Sequence, residues 1–337
     1  MRILAVETSC DDTAVALLDG CSVIAERVHS QEIHSRHGGV VPELASRNHM
    51  KVLPELVKEV LHAGGMNSFE KIDAFAATAG PGLTGSLLVG LAWTKAAAWA
   101  SGKVFLGINH LAAHLYIHYG GNRHVVFPAV ALLVSGGHTS LFTMNSWEEI
   151  LLLGSTRDDA AGEAFDKTAK LTGLGYPGGA ALDLAADRGD PDKVRLPSPL
   201  ADPSLPEFSF SGLKTAAKLL WEKGEDRCNL AASFRKTIVD ILVSKLMYQS
   251  EKLGAQSVLA AGGVSANSLL RQVLRKECSE RNLNLFLPDK EHATDNALMV
   301  GRAAAAILER DPEAFSPLYC NAFARWSGKN LSPITCC

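Results

Sequence analysis

The 337-residue chain lacks the patterns that mark a disulfide-stabilised or a strongly charged protein. Its seven cysteines are odd in number and form no Cys-x-x-Cys pair. This argues against a disulfide framework or a cysteine-based zinc site and favours a reducing compartment. Its 33 basic and 36 acidic residues give a formal charge of -3. A nucleic acid would therefore have to bind to a local patch, and bulk charge neither requires nor forbids such a partner.

The chain also lacks a pattern that suggests a membrane span or a signal peptide. Its most apolar long stretch, residues 83–100, contains Lys95 and is rich in glycine and alanine, as is typical of a buried helix. The acidic residues Glu7, Asp11 and Asp12 interrupt the apolar N-terminal segment. We predict a soluble cytoplasmic protein with no membrane contact.

Two similar segments, residues 3–18 and residues 129–143, suggest a duplicated architecture. Each contains an apolar strand, a short turn of small polar residues and a second apolar strand. The length and the 47% hydrophobic composition provide enough material for two cores. The sequence therefore predicts two α/β lobes with a cleft between them, in which a ligand would contact both turns.

The turn of the second hairpin contains Ser135, Gly136 and Gly137. Because glycine has no Cβ, successive backbone amides can point toward one phosphate or carboxylate. An ordinary hairpin turn is an equally good interpretation of this segment alone.

His110 and His114 follow a predicted strand and are four residues apart. On a helix their Cβ atoms lie about 5 to 6 Å apart, close enough to share one metal ion. Such pairs also occur by chance on helix surfaces. Because Leu111 follows His110, the H-E-x-x-H general base of zinc peptidases is missing, and a third ligand must come from elsewhere.

Further polar residues mark the second half of the chain. Asp159, Glu163 and Asp166 share one helical face, where at least one of them would face a ligand. The alternative is an exposed helix on which Glu163 pairs with Lys167 and Asp166 with Lys170.

Three more polar residues lie near predicted helix starts. Asp183 lies one turn inside a helix that a glycine turn opens, and Asn267 follows a strand at a position suited to a nucleotide. Asp295 is predicted in the first turn of a helix capped by Thr294, where an acid also compensates the helix dipole.

Nine motifs resemble, in unbroken order up to about Trp326, those of the bacterial tRNA threonylcarbamoyladenosine transferase family. They are ETSCD (7–11), GGVVPELASR (38–47), AGPGL (79–83), LVSGGHT (133–139), DAAGEAFDK (159–167), YPGG (176–179), FSFSGLKT (208–215), AGGVSAN (261–267) and TDN (294–296).

The resemblance implies the fold shared by actin, Hsp70 chaperones and sugar kinases. The lobes would comprise residues 1–115, with a helix at 305–326 packing back on them, and residues 116–304, followed by a frayed tail at 327–337. It implies transfer of a threonylcarbamoyl group from threonylcarbamoyl-adenylate to the exocyclic amine of the adenosine beside the anticodon, with release of AMP. The tRNAs are those that read codons beginning with adenine. The implied partners are tRNA, a degenerate paralogue and a small ATPase.

The resemblance also implies site residues. His110, His114 and Asp295 would bind one divalent metal per subunit, iron(II), with zinc and magnesium as alternatives. The pocket for the adenine nucleotide of the substrate would be lined by Leu133, Val134, Ser135, Gly136, Gly137, Asp166, Gly179, Asp183 and Asn267. Asp11 and its neighbour Asp12, at the mouth of the first hairpin, are candidate proton acceptors.

Three other functions fit parts of the pattern. A kinase on the same fold would need ATP, magnesium and a catalytic aspartate, whereas a metallopeptidase would need the general base that is missing at Leu111. A nucleotide-gated chaperone would bind ATP without modifying tRNA. The chain departs from the family at Ala112, where many bacterial members have glutamate, and in residues 327–337, which match no motif.

Overall fold

The computed structural model describes residues 1–37, 39–175 and 178–334 and divides the chain into two compact units. The first unit contains Met1–His124 and the chain from Asp295 onward, and the second contains Val125–Thr294. The sequence-based boundaries placed residues 116–124 and 295–304 in the second lobe instead. The structure assigns them to the first unit because one continuous helix begins at Ala297 and packs on the first sheet.

The helices and strands of the first unit match most of the predicted elements. They are β1 (Arg2–Glu7), β2 (Asp12–Asp19), β3 (Ser22–Ser30), α1 (Pro42–Ala63), β4 (Ala74–Gly80), α2 (Thr84–Ser101), β5 (Val104–Asn109), α3 (His110–Tyr116) and α9 (Ala297–Arg310). The strands form a sheet in the order β3-β2-β1-β4-β5. β1 pairs with β2 antiparallel, from Arg2 opposite Asp19 to Glu7 opposite Ala14, whereas β1, β4 and β5 are parallel.

Helices cover both faces of this sheet. Leu17 and Leu18 are neighbours on β2, so their side chains point to opposite faces. A Cβ added at Gly64, just after α1, would collide with Leu17, and one added at Gly301 of α9 would collide with Leu18. α1 and α9 therefore pack on opposite sides of the sheet.

The glycine-rich turn between β4 and α2 serves close packing. A Cβ at Gly80 would collide with the carbonyl oxygen of Phe323, and one at Gly82 would lie 2.6 Å from the carbonyl oxygen of Ser9. Gly80 also has a φ of 145°, a conformation that favours glycine. A glycine-rich turn between a strand and a helix is suited either to anion binding or to close packing, and these contacts favour packing.

The C-terminal segment differs from the prediction in two ways. The helix expected at 305–326 ends at Arg310, because Asp311 is extended and Pro312 follows it. The tail expected to fray is held by β5 through residue 334: the Asn109 amide donates to the Pro333 carbonyl at 2.9 Å, and Ile334 bridges to Ile108. Leu331 is fully buried. Residues 335–337 lie outside the described part of the chain.

The second unit repeats the sheet of the first. Its elements are β6 (Ala129–Val134), β7 (Thr139–Met144), β8 (Ile150–Ser155), α4 (Ala161–Leu171), α5 (Gly178–Ala186), α6 (Ser211–Glu222), α7 (Arg227–Lys252), β9 (Ser257–Ala261), α8 (Ser268–Glu280) and β10 (Asn284–Phe286). The strand order is β10-β9-β6-β7-β8, with β6, β7 and β8 antiparallel and β6, β9 and β10 parallel. An antiparallel hairpin thus begins each sheet, as predicted.

The long helix α7 lies at the centre of the second unit's core. Its buried residues include Phe234, Leu242 and Leu246, which belong to the same apolar cluster as Val130 and Leu132 of β6. Within the described residues, no helix combines the length and the apolar character needed to cross a bilayer.

Candidate functional site

Two buried histidines lie on α3 at the carboxyl end of β5. The side-chain oxygen of Asn109 accepts hydrogen bonds from the amides of Leu111 and Ala112, so the helix begins directly after the strand. His110 and His114 are therefore one turn apart, with ring centroids at 4.6 Å. They are 5% and 2% exposed, which shows that the pair does not belong to a solvated surface.

Asp295 faces both histidines. Its Oδ1 lies 3.2 Å from Nε2 of His114 and 3.7 Å from Nε2 of His110. The sequence placed Asp295 inside a helix capped by Thr294, but Asn296 is the cap, accepting from the Met299 amide at 2.9 Å. Asp295 therefore precedes the helix, and its side chain reaches the α3 histidines.

The three residues fit a metal ion. Their ligand atoms lie within 4.8 Å of one another. Although Nε2 of His114 lies 3.2 Å from Asp295, it makes no hydrogen bond within the described residues, whereas a buried polar nitrogen normally makes one. A cation placed between the two nitrogens and the carboxylate would satisfy it. This group could therefore hold one metal ion, as the sequence suggested.

The electrostatics of the group also favour a positive charge. Burial alone would lower the pKa of His110, but the carboxylates of Asp295 and Glu7 raise it to about 9. Glu7, whose carboxylate lies 3.2 Å from Nδ1 of His110, was missed by the sequence analysis. The available signal was an acid directly after the apolar residues 3–6 of β1.

The candidate proton acceptors lie between β1 and β2. Asp11 is half-buried, and Asp12 begins β2. Burial raises the pKa of Asp12 to about 7. The charge of Asp295 also raises this pKa, whereas a hydrogen bond from Ser30 lowers it. A carboxylate that titrates near neutral pH suits proton transfer.

In the second unit, the turn between β6 and β7 leaves two glycine amides open. Ser135 closes the turn: its amide donates to the His138 carbonyl at 2.8 Å, and its hydroxyl accepts from the His138 amide at 3.2 Å. Gly136 and Gly137 are exposed, and in the described part of the chain neither amide donates a hydrogen bond. A Cβ at either position would meet no atom within 4 Å, and neither φ lies in the left-handed region.

The same turn is packed against two other glycines. The Gly162 amide of α4 donates to the Ser135 carbonyl at 3.2 Å, and a Cβ there would lie 2.5 Å from that oxygen. A Cβ at Gly262, after β9, would lie 2.5 Å from the Val134 carbonyl. Leu133 and Val134 are fully buried, so only their backbone is available to a ligand.

Asp166 fixes the start of α5. Its Oδ1 accepts from the amides of Gly178 and Gly179 at 2.9 and 3.1 Å. Gly178 is required by packing, because a Cβ there would lie 2.6 Å from the Cα of Asp166, whereas a Cβ at Gly179 would meet nothing within 4 Å. The predicted substrate residue Asp166 thus positions the glycine turn. The preceding residues of this motif, Tyr176 and Pro177, lie outside the described residues.

Asp183 and Asn267 are joined to each other. The Asn267 amide group donates to Oδ1 of Asp183 at 2.8 Å, while its own oxygen caps α8 by accepting from the Leu270 amide. Arg235 of α7 donates to the same Oδ1 at 2.7 Å. Sequence reasoning missed Arg235, because Lys236 follows it and two adjacent basic residues are typical of a solvated helix face.

The other two acids, Asp159 just before α4 and Glu163 within it, form ion pairs. Asp159 accepts from Lys167 at 3.0 Å and from Lys214 at 2.7 Å, and Glu163 pairs with Lys167 at 2.5 Å. The predicted pair of Glu163 with Lys167 is therefore present, whereas the pairs of Asp159 were not predicted.

Replacing Asp166 by alanine is expected to destabilise the second unit. Two amides at the start of α5 would lose their acceptor, so the free energy of unfolding should fall by about 1–3 kcal/mol. Urea denaturation measures this change. Asp166→Asn keeps one acceptor oxygen and should lose less, and equal stability of Asp166→Ala and the wild type would contradict the positioning role.

Comparison with known proteins assigns the chain to a family. Residues 22–302 match the family model described as TsaD, tRNA N6-adenosine threonylcarbamoyltransferase. A relative of that name from Caldicellulosiruptor bescii is 44% identical over 318 residues, which cover 92% of this chain and 94% of the relative. Another, from Thermotoga neapolitana, is 45% identical over 326 residues, covering 96% and 98%.

Solved structures share the fold at low sequence identity. HypF from T. kodakarensis superposes with a TM-score of 0.61 at 14% identity, covering 92% of this chain and 48% of HypF. The activator of 2-hydroxyisocaproyl-CoA dehydratase from Clostridium difficile, crystallised with ADPNP, gives 0.53 at 13% identity, covering 93% and 97%. With the repeated sheets, these likenesses confirm the predicted fold of actin and the sugar kinases. The match of the family model over most of the sequence, and of the relatives over nearly their full length, shows that the chain belongs to the tRNA N6-adenosine threonylcarbamoyltransferase family.

Proposed function

We propose that the donor substrate is threonylcarbamoyl-adenylate and that the acceptor is the adenosine next to the anticodon in tRNAs that read codons beginning with adenine. The exocyclic nitrogen attacks the carbamoyl carbon, and the bond from that carbon to the phosphate oxygen breaks. AMP leaves, and the attacking nitrogen loses one proton. Because the adenylate is already activated, the protein mainly positions the two substrates and stabilises charge.

Family membership gives the coarser part of this reaction. The chain is a transferase that modifies N6 of adenosine in tRNA, and the kinase, metallopeptidase and chaperone alternatives are not favoured. The partners are proposals that rest on the family alone. They are a degenerate paralogue and a small ATPase, acting with this chain in the cytoplasm.

The main support for the donor site is that the backbone amides of Gly136 and Gly137 are exposed and donate no hydrogen bond within the described residues. No neighbouring atom and no left-handed backbone angle requires glycine at these positions. Two exposed amides without an acceptor form a suitable site for a phosphate or for the oxygen of a reacting carbonyl.

The other proposed pocket residues connect to this turn through the contacts of α4, α5 and β9. Leu133 and Val134 lead into the turn at Ser135, and Gly162 holds α4 against it. Asp166 of α4 accepts a hydrogen bond from the Gly179 amide of α5, and Asp183 of α5 accepts one from the Asn267 side chain. We propose that Gly179 leaves space for the ligand, while Asp183 and Asn267 bind its hydroxyl groups or its base with their remaining hydrogen-bonding capacity.

We propose that His110, His114 and Asp295 hold iron(II). Two histidines and one carboxylate are the donor set of non-haem iron(II) sites, although zinc and magnesium remain alternatives. A divalent ion bound there supplies Lewis acidity toward a carbonyl or phosphoryl oxygen. Metal analysis of protein purified without added metal distinguishes the three ions.

Asp11 or Asp12 is proposed to accept the proton of the attacking amine. A base must be ionised, so the transfer rate should rise with pH up to the pKa of Asp12, about 7 or lower once a cation is bound, and then level off. Asp12→Asn should lower the rate about 10²–10⁴-fold and remove this pH dependence. If Asp12→Asn retains the wild-type profile and Asp11→Asn loses activity, the acceptor is Asp11.

The reaction is tested with purified protein, synthetic threonylcarbamoyl-adenylate and an unmodified tRNA transcript, together with the proposed partners. Formation of the modified nucleoside and of AMP in equal amounts is expected. Release of AMP at the same rate without tRNA, with no modified nucleoside, would overturn the proposal.

A further inference from the structure

Glu7 is a fully buried acid at the end of β1. Its side chain is 0% exposed, within a strand that pairs with β2 on one side and β4 on the other. A buried carboxylate is costly unless its oxygens receive hydrogen bonds. Its partners therefore indicate its role.

Both oxygens of Glu7 receive hydrogens. The Ser9 amide donates to Oε1, and the Thr78 hydroxyl donates to Oε2 at 2.6 Å. Nδ1 of His110 lies 3.2 Å from the same Oε2. Since the two other groups are donors and the ionised carboxylate only accepts, the His110 nitrogen facing it must also donate.

This contact fixes the tautomer of His110. In the neutral imidazole that a metal ion binds, a hydrogen on Nδ1 leaves the lone pair on Nε2, the atom that faces Asp295 at 3.7 Å. The imidazole ring is also held against His114, at a centroid distance of 4.6 Å. Histidine ligands generally donate their second N–H to a carboxylate, a carbonyl or water, which orients the ring and increases its basicity.

We propose that Glu7 is a positioning residue of the metal site, which holds Nδ1–H of His110 so that Nε2 is directed at the ion. The inference rests on the proposed metal role of His110, His114 and Asp295. Glu7 itself does not belong to the group of ligand atoms that lie within 4.8 Å of one another. It acts through His110.

The geometry also explains why glutamate is required. Glutamine would offer one acceptor oxygen and one NH2 group to three donors, so at least one donor would face another donor. A glutamine oxygen at the Oε2 position would still accept from Thr78 and His110, with the NH2 group facing the Ser9 amide. The variant that removes the orienting hydrogen bond is therefore Glu7→Met, whose side chain has a similar length and no oxygen. Thr78→Val is the matched control, because it removes another buried hydrogen bond to the same carboxylate while leaving the pair between Glu7 and His110.

The test measures zinc affinity of the full-length chain by competition with a chelator. Glu7→Met is expected to bind zinc about 10–100-fold more weakly than the wild type, and Thr78→Val within about threefold of it. A merely structural role would give the two variants equal losses. Equal zinc affinity of wild type and Glu7→Met would overturn the inference while leaving the metal site intact, whereas no zinc binding by the wild type would overturn both.

Nitrogen-15 NMR of the zinc-loaded wild type gives a second readout that does not depend on the folding of a variant. The proposal predicts a proton on Nδ1 of His110 and zinc on Nε2. A proton on Nε2 instead would overturn it.

Discussion

Replacing His114 by alanine is expected to abolish metal binding and to lower the rate of threonylcarbamoyl transfer on the order of 10³-fold. Lewis-acid stabilisation contributes several kcal/mol to a transition state, and each 1.36 kcal/mol corresponds to about tenfold in rate. His114 supplies one of the two nitrogen ligands, and its Nε2 has no other partner in the described chain. Metal content by mass spectrometry and the transfer rate are measured on the same sample.

His118 provides a matched control for this variant. It lies four residues beyond His114 and is also buried, at 8% exposed, but it does not belong to the group of three ligands. His118→Ala should therefore keep one metal ion per chain. A His114→Ala protein that retains both its metal and its activity would contradict the assignment.

The second large effect is expected from replacing both Gly136 and Gly137 by alanine. The new methyl groups enter open space, so the free energy of unfolding should stay within about 1 kcal/mol of the wild type or rise slightly. The same methyl groups crowd the open amides, and loss of such donors costs about 10²-fold in rate or more. Binding of a non-hydrolysable adenylate analogue by calorimetry and the transfer rate should both fall.

Gly162→Ala should behave in the opposite way. Its Cβ would lie 2.5 Å from the Ser135 carbonyl and 2.8 Å from the Gly136 amide nitrogen, so overpacking should destabilise the fold by about 1–3 kcal/mol. If the double alanine variant at Gly136 and Gly137 lost stability and kept its ligand affinity, these glycines would be structural and the proposed donor site would be wrong.

Local patterns in the sequence predicted much of the fold. The alternation of apolar strands and small turns identified the hairpins β1-β2 and β6-β7. The helical spacing of Leu44, Val52, Leu56 and Val60 predicts a helix over about residues 43–62, and α1 begins at Pro42 and ends at Ala63. Both signals arise within a few residues. For the same reason, the spacing of His110 and His114 was enough to place them together.

Features that depend on distant packing were not predicted in this way. Asp295 reaches the histidines because α9 packs against α3. No spacing between residues predicts that contact, and only the family resemblance implied it. Glu7 and Arg235 were missed because each is recognisable only through its partner, His110 or Asp183. The tail was expected to fray because its pairing with β5 has no periodic signal.

Mass spectrometry of tRNA nucleosides tests whether this chain, with its ligand His114, makes threonylcarbamoyladenosine in tRNA. Cells depleted of this protein are supplied with either the wild-type chain or the His114→Ala variant, and the threonylcarbamoyladenosine content of their tRNA is compared. We expect the wild type to restore the modified nucleoside and the variant to fail to do so. Unchanged modification in depleted cells, or full restoration by the variant, would contradict the proposed function.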